Sequence, residues 1–297
     1  MLYQQIIANK RKTILLVSFF TILVLGIGWG IGYIFENDPV SGIVIALVVL
    51  AIYLPITYLS ATSQVLKMSG AQQVTKEQYP QLVDIVEELS IAARVPTPKI
   101  YVINDAVPNA FATGIKPEKG AVAFTTGLLE KLNREELEGV VAHELAHIRN
   151  YDIRLMTICI ALVGVIAIVG NIGSRMLFWG GGRKGGNRKS NPILMIVALL
   201  FVILAPLAAQ FTRLAISRNR EYLADASAVE FTRNPVGLSN ALRKISSNTE
   251  DMKNAKPATA SMYISNPFGK KRKSRGRGSL LATHPPIESR IERLENM

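Results

Sequence analysis

The sequence predicts an α-helical integral membrane protein of about four spans, with an α+β unit on the cytosolic side. Three observations predict it. Hydrophobic residues make up 49% of the chain and charged residues only 19%, below the roughly 25% usual for globular chains. The apolar residues are bunched into long uncharged runs. Between the runs lie polar stretches with mixed helical and strand periodicity.

The first run, Thr13 to Phe35, holds 23 residues without a charge. At about 1.5 Å rise per residue it crosses a hydrocarbon layer roughly 30 Å thick. It is longer than the apolar core of a cleavable signal peptide and lacks a small-residue cleavage site. A polar turn, Glu36-Asn37-Asp38, separates it from a second uncharged run, Pro39 to Leu66. Residues 1–66 are therefore expected to form a membrane hairpin with spans at about 13–35 and 40–60. Lys10, Arg11 and Lys12 precede the first span, and Glu36 and Asp38 follow it. Basic residues are retained in the cytoplasm, so the N-terminus is expected inside, and two spans return the chain there near Lys67.

Residues 67–152 read as a cytosolic segment. Leu82, Ile85, Val86 and Leu89 share one helical face within Lys76–Arg94, and Pro96 and Pro98 end that pattern. Lys99–Ile103 and Gly120–Thr125 have strand character, with Asn109–Ala112 as an edge strand. A helix is expected from Arg134 to about Asn150, capped by Asn133, with Glu135 and Glu136 favourable in its first turn.

Residues 153–212 form a second expected hairpin, with spans at about 155–178 and 190–212. The loop between them is Gly-rich and carries Arg183, Lys184, Arg188 and Lys189. A four-span arrangement puts these basic residues outside, against the usual distribution. A hairpin embedded without crossing is the alternative. Residues 213–297 return as a second cytosolic segment, helical over 213–245 and again from about Pro286.

Charge and cysteine content narrow the function classes. The 34 Lys and Arg against 22 Asp and Glu leave a net charge of +12, which beside long apolar runs suits an anionic membrane surface. The run Lys270–Arg277 fits lipid headgroups or a solvated linker, and no fold signature of nucleic-acid binding accompanies it. The single cysteine, Cys159, excludes an intramolecular disulfide and lies in an apolar run, where packing is the ordinary role of a thiol.

Chemistry is concentrated in His143-Glu144-Leu145-Ala146-His147 on the predicted helix. Residues i and i+4 share a helix face, so both imidazoles reach one tetrahedral metal. Glu144, rotated by about 100°, is aimed beside the metal instead of at it. With three histidines in the chain, composition alone yields this pattern on the order of 0.1% of the time. Two histidines leave a zinc ion short of one protein ligand. Glu221 and Asp225, one turn apart on a later helix, offer a ligand and a carboxylate to orient a ligating histidine. The same residues also fit an ordinary charged helix with Arg218 and Arg220 as ion-pair partners.

His143-Glu144-x-x-His147, the later Glu221-Tyr222-x-Ala224-Asp225 and the two apolar segments between them resemble the HtpX-type membrane metalloproteases, relatives of the eukaryotic CAAX prenyl protease. Asn109–Gly114 and Thr283-His284-Pro285-Pro286 match further expected elements in the expected order, so the resemblance covers nearly the whole chain. It implies a zincin-like (gluzincin) metallopeptidase unit with one Zn2+ per chain. In that unit Glu221 is the third zinc ligand and Glu144 the general base. Asn109 and Ala110, on the edge strand, are implied to bind substrate backbone; a turn role after Pro108 is the plain alternative for Asn109. His284 and Arg290 are implied to lie near the reacting carbonyl as candidate oxyanion stabilisers. A capping or packing His284 and a solvated Arg290 are the plain alternatives.

The resulting expectation is a multi-pass protein of the cytoplasmic membrane, its active site facing the cytoplasm, hydrolysing membrane or misfolded proteins in stress response and quality control. A CAAX-type prenyl-protein protease and a non-catalytic metal-binding scaffold are the rivals. Expected partners are polypeptide substrates, the lipid bilayer, and further copies of this chain or other membrane proteases; no nucleic acid is expected.

Overall fold

The computed structural model describes residues 2–162, 218–253, 255–256, 258–268 and 285–297. Helix α1 (Leu2–Glu36) and helix α2 (Pro39–Met68) are both long and apolar enough to cross a membrane. α1 starts well before Lys10, so the basic triplet lies on the helix and not ahead of it. Asn37 reverses the chain in the left-handed region at φ 53°. The Asp38 carboxylate then caps α2 by accepting the Val40 N–H at 3.0 Å, and Pro39 opens the helix. A Cβ on Gly42 would come to 2.0 Å from the Gly28 carbonyl oxygen, so glycine at that position permits the close helix approach. Leu15, Ile22, Val44, Ile45 and Leu59 are exposed, as a lipid-facing surface requires.

Beyond α2 the chain builds a four-stranded sheet from β1 (Gln72–Gln73), β2 (Lys99–Ile103), β3 (Ala110–Thr113) and β4 (Ala121–Thr125). Its order is β1-β2-β4-β3: β2 and β4 run parallel, and β1 and β3 pair antiparallel to their neighbours. β3 is thus the edge strand beside the chemistry. The sequence gives no sign of the two-residue β1, which has neither length nor alternation. Helix α3 (Pro80–Ala93) is shorter than its apolar pattern suggests, because Pro80 opens it and Arg94 closes it at φ 55°.

Short helix α4 (Thr126–Lys131) leads into α5 (Arg134–Arg149), which carries the His-Glu-x-x-His motif. A full capping box starts α5. The Asn133 side chain accepts the Glu136 N–H, and the Glu136 carboxylate accepts the Asn133 N–H, both at 2.9 Å. Apolar residues of α3, the sheet and α5 share one core with Ala224, Ala228 and Phe231 of helix α7 (Arg218–Thr232), and with Leu238 and Leu242 of helix α8 (Pro235–Ser246). Gly139 permits this packing: a Cβ there would lie 2.7 Å from the Leu238 nitrogen.

Residues 152–162, helix α6, lead straight back to the hairpin: Leu155, Ile158, Cys159 and Leu162 bury themselves against Leu16, Phe20, Leu50 and Ala61. The rest of the expected second hairpin, the basic loop at 180–189, His284 and the run at 270–277 lie outside the described residues. Helix α9 (Ile287–Glu295) packs mainly on α8 and also reaches α7. The Tyr222 hydroxyl is 2.9 Å from Ser289 Oγ, and the Arg293 guanidinium lies 3.7 Å from the centre of the Tyr222 ring.

Candidate metal centre

Helical periodicity places His143 and His147 one turn apart on α5, their Nε2 atoms 3.2 Å from each other. Glu221, at the start of α7, comes within 3.8 Å of His143 Nε2 through Oε2 and within 3.6 Å of His147 Nε2 through Oε1. One ligand atom from each of the three lies within 4.8 Å of the others. Tetrahedral zinc ligands, each about 2.0–2.1 Å from the metal, stand roughly 3.3 Å apart. The 3.2 Å between the imidazole nitrogens meets that spacing, the two Glu221 oxygens stand a few tenths of an ångström beyond it, and two imidazole nitrogens with a carboxylate oxygen are a donor set that zinc accepts.

Each histidine is held from behind. Asp225 Oδ1 is 3.0 Å from His143 Nδ1, and Asp152 Oδ2 is 3.1 Å from His147 Nδ1. A carboxylate at Nδ1 fixes the tautomer that leaves the Nε2 lone pair for a metal. Behind the carboxylates stand buried arginines. Arg290 donates from Nε to Asp225 Oδ2 at 2.9 Å and from Nη2 to Asp225 Oδ1 at 2.6 Å. Arg220 Nη1 is 3.7 Å from Asp152 Oδ1, an ionic contact longer than a hydrogen bond. Arg290 also reaches Glu221 Oε2 at 3.5 Å and the Ile264 carbonyl at 3.4 Å.

These surroundings set the protonation states. Burial, with the nearby Arg290 charge, lowers His143 to about 4, which keeps it neutral under its arginine neighbour. Burial acts against the charged form of His147 too, but the Asp152 hydrogen bond and the Glu221 charge outweigh it and raise His147 to about 9, so its ring carries an Nε2 proton that a bound metal would displace. Asp225 is pushed up by burial, yet Arg290 and His143 hold it below the usual carboxylate range. Glu144 is raised to about 7 by burial, against the charge of His147 and the hydrogen bond from the Ala112 backbone. A carboxyl poised near neutrality beside a metal-ligand cluster suits acid–base work. His143 and Glu144 are sealed off, but the His147 and Glu221 side chains keep 16% and 12% exposure, so the cluster is reachable from outside.

Asn109 and Ala110 are each 1% exposed at the edge of β3. Their polar groups pair with the chain's own segment 263–265. Ile264 N–H donates to the Ala110 carbonyl at 2.9 Å, Ser265 N–H to Asn109 Oδ1 at 3.3 Å, and Asn109 Nδ2 to the Ser265 carbonyl at 3.0 Å. Asp152 and Arg220 were invisible to sequence reasoning as site residues. The only available signal was an acidic residue shortly after the second histidine, past the end of its helix.

A His-Glu-x-x-His helix, a carboxylate on a second helix and a sheet edge alongside define the metallopeptidase class. The profile of peptidase family M48 matches residues 76–297, and the chain belongs to that family. Curated relatives carry the name "Protease HtpX homolog". The one from Listeria monocytogenes serovar 1/2a is 55% identical over 307 residues, and the one from Ligilactobacillus salivarius 52% identical over 300 residues. Each comparison covers 100% of both chains. A protein of the same name from Lactobacillus helveticus is 49% identical, again over 100% of both chains. A crystal structure of S. mikatae Ste24p aligns at a TM-score of 0.47 and 19% identity, covering 99% of this chain and 67% of that one, a likeness too loose to bear on mechanism. Family membership together with the two apolar helices makes the chain a membrane metalloprotease.

Proposed function

We propose that the chain is a zinc-dependent endopeptidase of the cytoplasmic membrane that cleaves membrane or misfolded proteins, with its active site facing the cytoplasm. The observation that carries this reading is the convergence of His143 Nε2, His147 Nε2 and Glu221 on one point, with Glu144 next in sequence to the first ligand. His143, His147 and Glu221 are the residues that would hold the metal. When bound, zinc supplies Lewis-acid polarisation of a carbonyl and activation of water.

Glu144 takes the proton of the attacking water and returns it to the leaving amine. Burial raises its pKa above the usual carboxylate range, which makes it a better proton acceptor, and the Ala112 backbone hydrogen bond holds it at the edge of β3. Asn109 and Ala110 bind the substrate as an extended strand. A strand that pairs with the same groups takes the place of Ile264 and Ser265. Arg290, fully buried and bonded through two nitrogens to Asp225, acts by holding the ligand shell, which leaves His284 as the candidate oxyanion donor.

The partly exposed cluster favours catalysis over a metal-holding scaffold, since structural zinc sites are closed by four protein ligands. Full-length relatives named as HtpX homologues favour an HtpX-type protease over a prenyl-protein protease. Proteolysis of a protein substrate by the purified chain in detergent tests the proposal. Activity should disappear with a chelator and return with zinc; chelator-resistant proteolysis, or none with zinc present, would count against it.

A further inference from the structure

The two proposed ligand histidines are each backed by a carboxylate and an arginine, but only one of the two carboxylates, Asp225, lies near Glu221 in sequence. At His143 the order is His143–Asp225–Arg290, with contacts of 3.0 Å and 2.6 Å. At His147 it is His147–Asp152–Arg220, with contacts of 3.1 Å and 3.7 Å. Asp152 is 3% exposed and Arg220 7%, so neither pair is a solvated surface contact. Both carboxylates meet Nδ1, the ring nitrogen that points away from the cluster.

The backbone is specialised to deliver Asp152. α5 ends at Arg149, Asn150 caps it with its N–H on the Ala146 carbonyl at 2.9 Å, and Tyr151 adopts φ 58°. The left-handed region disfavours a bulky aromatic residue, and glycine would occupy it freely. That single reversal turns the chain so that Asp152, at the start of α6, faces back toward His147.

We infer that Asp152, backed by Arg220, is the positioning residue of His147, and that this pair ties the metal-ligand helix to both ends of the stretch at 153–217. Asp152 stands immediately before that stretch, at the head of a helix packed on the membrane hairpin. Arg220 stands just after it and directly precedes Glu221. The ion pair therefore joins the residue that leaves the cluster to the helix that returns with the third ligand. His147 and Glu221, two proposed ligands on different helices, are thereby held in register although 73 residues of chain (148–220) lie between them. The inference rests on the proposed ligand role of His147.

The test is zinc affinity of the full-length protein in detergent, measured by competition with a chromophoric chelator, together with the visible spectrum of the cobalt(II)-loaded protein. Asp152→Asn keeps the shape and removes the charge that orients the ring. Loss of such an outer partner weakens metal binding about 10–100-fold. That weakening is expected, with shifted cobalt bands, in protein whose helical circular dichroism matches wild type. A merely structural Asp152 would leave the affinity and bands of the folded protein where they are, and that result overturns the inference. Should Asp152→Asn fail to fold, Asp152→Glu displaces the same carboxylate by one methylene; an intermediate affinity supports the inference, and wild-type affinity overturns it. His147→Ala is the control. Zinc binding unaffected by His147→Ala would remove the ligand assignment itself, a result distinct from a normal Asp152→Asn beside a defective His147→Ala.

Discussion

Asp225 accepts two hydrogen bonds from a single buried side chain: the Arg290 guanidinium holds one carboxylate oxygen at 2.6 Å and the other at 2.9 Å, while His143 Nδ1 stands 3.0 Å from the nearer one. Helix α9 thereby fixes the orientation of His143, the first of the proposed metal ligands.

That relationship predicts a stability defect. Breaking a buried ion pair by removing one partner costs about 3–5 kcal/mol, because the other charge is left uncompensated. Arg290→Met should lower the melting temperature sharply, and Asp225→Asn should do the same. The double variant should lose markedly less than the sum of the two single losses. Additive losses would mean that the two residues act separately.

His284 is the proposed oxyanion donor. His284→Ala should keep about one zinc per chain and lose on the order of a hundredfold in turnover, since such a donor is commonly worth about 2.7–4 kcal/mol. Turnover at the wild-type level would return His284 to a packing role.

Sequence and structure part company where long-range pairing or unmarked backbone geometry decides the outcome. The His143–His147 face is legible because a helical repeat of four residues is a local property. Glu221 and Asp225 are readable as a ligand and an orienting carboxylate on a helix, but which histidine Asp225 meets depends on the crossing of α7 over α5. Asp152 reaches His147 through a left-handed Tyr151, and no residue type announces that conformation in a non-glycine. The pairing of Asn109 with Ser265 joins positions 156 apart in sequence, beyond any periodicity. Arg290 is singled out only by resemblance and otherwise reads as a solvated helix residue, yet the fold takes it to 0% exposure beside Asp225.

Membrane orientation has its own test. Asn37 lies in the turn between α1 and α2, and Lys131 in the unit that carries the candidate metal cluster; both are exposed. Cys159 is buried, so it gives a low background for thiol labelling. In intact cells, cysteine at Asn37 should react with an impermeant reagent and cysteine at Lys131 should not. External labelling at Lys131 would reverse the proposed topology.

The substrate edge makes opposite predictions for two neighbours. Asn109→Ala removes groups proposed to pair with substrate backbone and should raise KM. Ser265→Pro removes the N–H that the chain itself donates to Asn109 Oδ1, frees the edge, and should lower KM. A common change in both variants would separate segment 263–265 from substrate binding.

The assignment of one glutamate as base and the other as ligand is the central claim, and metal content read beside proteolysis after matched purification tests it most directly. Glu144→Gln preserves shape but cannot accept a proton, so it should retain about one zinc per chain while hydrolysis almost vanishes. Glu221→Ala removes an anionic oxygen from the cluster and should lose both zinc and activity, with partial recovery of metal at high zinc concentration. A Glu144→Gln protein that loses its zinc, beside a Glu221→Ala protein that keeps zinc and full activity, would contradict the account.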